Sequence, residues 1–447
     1  MRIIQITPGS GDNFYCENCL RDAGLARALR ELGHDVALAP LYLPPRLEET
    51  GRGSAGEVFF GGINVYLQEK WGLFRHTPRW LDRLFDGRRL LAWAARRAGM
   101  TDAGELGRTT ISILRGEEGR QKKELARLTE WLEEQGGCEV VVLSNALLLG
   151  LARALGGGGG RAGRQPAVVC WLQDEDEFLD DLEEPYRSEA WGLLRERARD
   201  VEAFVAVSRY YAEAMGQRLG LDERRLEVVR PGVRVEEYEG GASPGGSAAP
   251  TIGYLSRMCA AKGLDLLVEA FLQLRQEEEL GELRLRVAGG SLGDDRGYVA
   301  GLRRQIAEAG ASGAVEWVGS FEREDRIAFL HSLTVLCVPA RRAESYGLYA
   351  LEAMAAGVPV VGPASGVFPE LLALTGGGIL VEPNDAGSLR DGLRRVLTDR
   401  GWAEGLGQRG RQGVRQHFDA RRSARQTAEA YERAWARRNG REQREPD

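Results

Sequence analysis

The chain has 447 residues, of which 28 % are charged and 43 % hydrophobic, with a formal net charge of −6. That length is too great for one ordinary core and predicts two soluble globular domains. The acidic balance gives no support to general nucleic-acid binding, and no run of about 18 apolar residues is present to span a membrane.

The chain opens with "RIIQIT" (2–7), a short apolar run that ends in Pro and Gly. The N-terminus turns polar within ten residues, so it does not read as a signal peptide, and the cytoplasm is the expected location. "CLRDAGLARALRELGHD" places Leu20, Leu25, Leu29 and Leu32 near helical spacing, and "DVALAPLY" follows as a strand. Strand, Gly-containing loop, helix and strand open a parallel α/β unit. The span 70–99 is helical in pattern, rich in aromatics, and carries seven Arg against two Asp between Arg75 and Arg97. It reads as a helical insertion near 70–100, or as an acceptor-recognition or membrane-surface element.

The strand pattern resumes with "EVVVLS" (139–144), "PAVVCWL" (166–172), "AFVAVS" (203–208) and "LEVVRPG" (226–232). Val and Ala runs without polar alternation fit strands covered on both faces. Between the first two, "LGGGGGRAGRQ" (155–165) reads as a loop, since ordering five glycines is entropically costly. "EEYEGGASPGGSAAP" (236–250) reads as a linker. A second series follows: "TIGYLS", "LRLRVAGG", "VEWVGS", "TVLCVPA", "PVVGPAS" and "GILVEP". The expected organisation is a first domain over 1–235, a linker over 236–250 and a second domain over 251–415. A helix over 416–438 and a polar tail over 439–447 complete it. The expected fold class is α/β, two Rossmann-like domains whose parallel sheets face a central crevice.

The six cysteines are Cys16, Cys19, Cys138, Cys170, Cys259 and Cys337. Cys16 and Cys19 have knuckle spacing, but a structural zinc site needs a second pair or a histidine cluster, and the four histidines are scattered. No metal is expected there. Packing or a role in shaping the acceptor site fits the two thiols better, although convergence of Cys16, Cys19, Cys170 and Cys259 on one cleft stays open.

Three stretches carry chemistry. In "TPGSGDN" (7–13), Gly9 and Gly11 follow a strand and allow backbone N–H groups to hold a phosphate, or simply make a tight turn. In "GYLSRMCAAKGLDLLVEAF" (253–271), Arg257 and Lys262 follow a strand; a planar fork and a mobile point charge suit a diphosphate. In "VPARRAESYGLYALEAMAAGVPVVGPASGVFPELL" (338–372), Glu344 precedes a helix start and Glu352 lies within that helix, placed to accept hydrogen bonds from a ribose diol. A carboxylate favoured by a helix N-terminus is the simpler account of Glu344.

The S-R-x-x-x-x-K-G segment, the E-x7-E pair and "EAMAAGVPVV" resemble the nucleotide-sugar-binding half of retaining glycosyltransferases of glycosyltransferase family 4, which have the GT-B architecture. The resemblance is good over 251–385 and looser before it, through the first strand with its Gly loop, "VSRYYAEAM" (207–215) and "VVRPGV" (228–233). It implies transfer of a sugar from a nucleoside diphosphate sugar to a hydroxyl acceptor, with no cofactor and no metal ion. Arg257 and Lys262 would neutralise the diphosphate. Glu344 would contact the donor sugar or support charge at the reacting face, and Glu352 would bind the ribose. Gly366, Val367 and Phe368 match the loop that meets the sugar or diphosphate, and Gly9 and Gly11 would meet a phosphate or the acceptor. Many relatives carry a His after the strand that here leads to Gln173 and Asp174; Gln173 can bond a sugar but cannot act as acid or base near neutral pH. A catalytically weak sugar-nucleotide-binding or regulatory protein, or a synthase of the glycogen or sucrose type, remain the other readings.

Overall fold

The structure, a computed structural model, describes residues 1–8, 15–41, 103–158, 164–240, 249–291, 293–319 and 322–441. Gly9, Gly11 and the insertion near 70–100 lie outside the described residues. The described residues of Met1–Asp12, Asn18–Arg230 and Ser423–Asp447 form one compact unit, and those of Asn13–Glu17 and Pro231–Arg422 form a second.

The first unit is built on a parallel sheet. Its strands are β1 (Arg2–Thr7), β2 (Asp35–Pro40), β3 (Val140–Leu143), β4 (Ala167–Leu172), β5 (Ala203–Ala206) and β6 (Leu226–Val228). Their spatial order is β2-β1-β3-β4-β5-β6. Every residue of β3 and β4 is buried, which is why both sequences run apolar without alternation. The strands are joined by helices whose ends the sequence marks. Ser208 accepts the Tyr211 N–H at 3.1 Å and so caps the helix Arg209–Leu219, which Gly220 ends in the left-handed region. The last helix, Ala420–Arg441, joins this unit from Ser423 onward. There Trp171 donates its indole N–H to the Tyr431 hydroxyl at 2.8 Å, and Ser423 donates to the Arg230 carbonyl at 2.8 Å.

The second unit repeats the plan. Strands β7 (Thr251–Leu255), β8 (Arg284–Ala288), β9 (Val315–Trp317), β10 (Val335–Cys337), β11 (Val360–Pro363) and β12 (Gly378–Val381) are parallel in the order β12-β11-β10-β7-β8-β9. The unit begins at Pro231, earlier than expected from the polar run at 236–250. Val235, expected in the first domain, and Tyr238, expected in the linker, are both buried on a short 3-10 turn, Val235–Tyr238, of the second unit. In each sheet the chain starts in the middle and reverses direction, between β1 and β3 and between β7 and β10. At such points the loops after two neighbouring strands diverge, and open α/β sheets bind ligands there.

Candidate functional site

In the second unit, the loops after β7 and β10 hold the cations and the acids together. Lys262 Nζ lies 2.6 Å from Glu344 Oε1, and Tyr349 donates its hydroxyl to Glu344 Oε2. Glu344 is buried, with its side chain 4 % exposed, and Lys262 is partly open at 16 %. The approach is possible because Gly263 stands between Lys262 and the helix Leu264–Leu274: its φ is +68°, and a Cβ there would overlap the Pro339 carbonyl oxygen. The Arg341 N–H also donates to the Ala261 carbonyl at 2.8 Å, stitching the two loops. Arg257 sits on the same edge, after β7. Its Nε and Nη2 donate to the two carboxylate oxygens of Asp295 at 2.8 and 3.1 Å, a fork-on-fork pair that fixes the guanidinium plane.

The loop after β11 supports Glu344 from behind. Gly366 has φ +59°, and a Cβ on it would lie 2.6 Å from the Glu344 backbone nitrogen and oxygen. The Val367 N–H donates to the Glu344 carbonyl at 2.9 Å. Val367 and Phe368, matched in sequence to a ligand-contacting loop, are both buried, and the Phe368 ring packs 6.4 Å from that of Tyr349. Their side chains therefore shore up Glu344 and Tyr349 rather than lining an open face.

Glu352 differs most from expectation. The helix Leu348–Ala355 is buried at every position, so a carboxylate within it needs partners. It has three. Tyr238 O–H and Arg326 Nε donate to Oε1 at 2.8 and 3.0 Å, and Tyr15 O–H donates to Oε2 at 2.9 Å. Burial raises the pKa values of both tyrosines, and the neighbouring carboxylate raises them further, so both phenols remain donors. Burial opposes the charge on Arg326, but Glu352, Tyr15 and Tyr238 together outweigh it and hold the guanidinium above its ordinary value. The diol-binding carboxylate of the sequence reading is already hydrogen-bonded within the chain.

In the first unit, Gln173 and Asp174 follow β4. Gln173 is buried; its amide donates to the Ser144 carbonyl at 2.6 Å, and its backbone N–H donates to Glu175 Oε2 at 2.6 Å. Asp174 is one of two non-glycine residues with positive φ among the described residues, at +57°. Among Asp174, Glu175 and Asp176, Glu175 is the buried one, and burial pushes its pKa up to about 8. Asp176 accepts a hydrogen bond from Tyr211 at 2.8 Å. The stretch is thus a turn tied by hydrogen bonds.

Residues 245–413 match the family model described as Glycosyl transferases group 1, and residues 95–237 match that of Glycosyltransferase Family 4. The chain belongs to the family 4 glycosyltransferases. A D-inositol 3-phosphate glycosyltransferase of Mycolicibacterium smegmatis is 31 % identical over 183 residues, 39 % of this chain and 41 % of that protein. One of Corynebacterium urealyticum is 25 % identical over 387 residues, 81 % of this chain and 87 % of that protein. The chain spans about half the length, or less, of the other leading curated relatives it matches. Among solved structures, sucrose-phosphate synthase from Thermosynechococcus elongatus superposes with a TM-score of 0.70 at 18 % identity, covering 98 % of this chain and all of that one. Anabaena HepE in complex with UDP and glucose also gives 0.70, at 17 % identity, covering 97 % of this chain and 99 % of that one. These likenesses show the GT-B fold of two Rossmann-like units.

Sequence reading of this chain missed Asp295, Tyr349, Tyr15, Tyr238 and Arg326. Tyr349 alone left a trace, five residues after Glu344 on the first turn of a buried helix. A cavity of about 1220 Å³ in the second unit is lined by Pro250, Thr334 and Pro359, each just before a strand, so it opens on the edge opposite Lys262 and Glu344. None of the six cysteines is in a disulfide, and Cys170 is buried within β4. Among the described residues no group of three or more His, Cys, Asp or Glu is placed to hold a metal ion. Nor is any helix among them long and apolar enough to cross a membrane.

Proposed function

We propose that the protein is a retaining glycosyltransferase that moves a sugar from a nucleoside diphosphate sugar to a hydroxyl acceptor. The observation that carries this reading is the Lys262–Glu344 pair beside Arg257, at the carboxyl edge of β7 and β10 where the second sheet reverses direction. In the resting chain the pair neutralises itself. When a diphosphate arrives, the mobile ammonium of Lys262 shares its charge with the phosphate, and Arg257 approaches as a plane braced by Asp295. Glu344 is then released to support positive charge growing on the sugar ring. Fixed charges aimed at charge that develops in the transition state supply the largest catalytic effects. The bond from the anomeric carbon to the diphosphate oxygen breaks, a bond to the acceptor oxygen forms on the same face, and the acceptor proton passes to the departing diphosphate. Gly366 would hold the sugar-side loop, with Glu352 at the ribose and Gln173 and Asp174, together with Gly9 and Gly11, on the acceptor or phosphate side.

UDP bound to HepE and inositol phosphate in the names of the curated relatives support UDP-sugars as the first donors and phosphorylated polyols as the first acceptors to try. Six cysteines with no disulfide between them support a cytoplasmic location. We place the metal-free reaction on Arg257 and Lys262, so turnover should persist in EDTA. The test is release of nucleoside diphosphate from UDP-, GDP- and ADP-sugars across a panel of polyol and polyol-phosphate acceptors, with NMR of the product anomer. Acceptor-dependent release with retained configuration supports the reading. Tight binding without turnover on any acceptor would instead indicate a sugar-nucleotide-binding protein.

A further inference from the structure

Glu352 presents a conflict. A ribose diol must donate to its oxygens, yet these already accept from Tyr238, Arg326 and Tyr15. Tyr238 and Arg326 are fixed by their own elements, the turn Val235–Tyr238 and the helix Arg323–His331. Tyr15 is different. It precedes the helix Glu17–Glu31, lies in neither helix nor strand, and is nevertheless only 3 % exposed. Three contacts hold it. Its N–H donates to the Gly289 carbonyl at 2.8 Å, its O–H donates to Glu352 at 2.9 Å, and its ring lies under the Arg326 guanidinium at 5.8 Å. Gly289 directly follows β8, the strand paired with β7, so these contacts lie on the edge that carries Arg257 and Lys262.

A nucleoside offers the same three kinds of group: a base N–H, a flat ring and a ribose hydroxyl. We propose that Tyr15 is a displaceable occupant of the nucleoside subsite, so that the donor takes its place on Glu352 and the Gly289 carbonyl while the phenol leaves. This rests on the donor-site reading above. A site that must first give up its own occupant binds more weakly than the same site held empty, because only the open fraction is competent. Tyr15 therefore sets donor affinity without touching the reacting atoms.

The test is calorimetric titration of UDP, GDP and ADP into the full chain and into Tyr15→Phe. The Phe variant keeps the ring but loses the bond to a carboxylate, so the preferred nucleotide should bind roughly five- to tenfold more tightly. Unchanged or weaker binding would overturn the proposal. A second readout uses the unmodified chain: saturating nucleotide should speed hydrogen exchange at the Tyr15 amide, whereas equal or slower exchange would mean that Tyr15 stays in place. Arg257→Ala separates the two readings. If neither chain binds any of the three nucleotides, the donor-site reading itself fails; if both bind equally well and Arg257→Ala weakens both, only the role of Tyr15 is wrong.

Discussion

A buried carboxylate has to be neutralised where it stands, and Glu352, inside a buried helix, and Glu344, just before it, show two ways of doing so. Glu352 is held by two phenols and a guanidinium, Glu344 by one phenol and a lysine that is partly open. The second arrangement can exchange its cation with a ligand, and this makes Lys262 the residue to remove first. Lys262→Ala should lower turnover about 100- to 1000-fold, in line with loss of one aimed electrostatic group. It should also cost about 2 kcal/mol in denaturant unfolding, because Glu344 is left buried with one donor fewer. Lys262→Met with Glu344→Gln should recover most of that stability and none of the activity. Glu175 gives a pH signature. The folded chain keeps its proton up to about pH 8, whereas an unperturbed glutamate releases it near 4.5. Its contribution to stability is therefore full below the lower value and is lost as pH rises to the higher one, a change on the order of a few kcal/mol. Melting temperatures measured from about pH 6 to pH 9 should fall less in Glu175→Gln than in the parent chain. The sequence made Glu344, Glu352, Arg257 and Lys262 visible because they sit at fixed offsets from strand ends. It did not reveal Tyr15, 337 residues from Glu352, because a contact across that separation leaves no spacing to read.

At the scale of elements, strands were the most legible feature, since a strand buried on both faces must be written as a short apolar run between breakers. Each of the strands expected from such runs is present; β1 keeps its full length and the others are a residue or more shorter, at one end or both. The loops after them were legible as loops but not as supports. Gly366 matters because its left-handed backbone lets the loop after β11 close on Glu344. Gly366→Ala should cost about 2 kcal/mol or more, by strain and by displacing the Glu344 backbone, and should abolish stabilisation by nucleotide; thermal unfolding with and without UDP reads both effects. By contrast Ser208→Ala, which removes only a helix cap, should cost about 1 kcal/mol and leave nucleotide binding intact. The polar run at 236–250 misled because composition reports solvent exposure on average, and one tyrosine aimed at a buried carboxylate was enough to fold its first residues into the second unit.

For the whole molecule, the two sheets with reversed strand order give two edges suited to ligands, and chemistry is concentrated on the second. The C-terminal helix shows how far apart in sequence a unit can be assembled. Tyr431→Phe leaves the indole N–H of Trp171 buried without its acceptor, so it should lower stability by about 1–3 kcal/mol while sparing Kd for the nucleotide, as measured by denaturation and titration in parallel. The sequence named a helix over 416–438 without naming its partner, and the structure packs it on the first unit from Ser423 onward. The central claim is that the Arg257, Lys262 and Glu344 edge binds a nucleoside diphosphate. The most direct measurement is thermal stabilisation of the full chain by UDP, GDP, ADP and their sugar conjugates, without added metal. The account predicts a selective shift for one base, worth about 2.7 kcal/mol at a hundredfold excess over Kd, and loss of that shift in Arg257→Ala and Lys262→Ala. A folded chain that none of these ligands stabilises would contradict it.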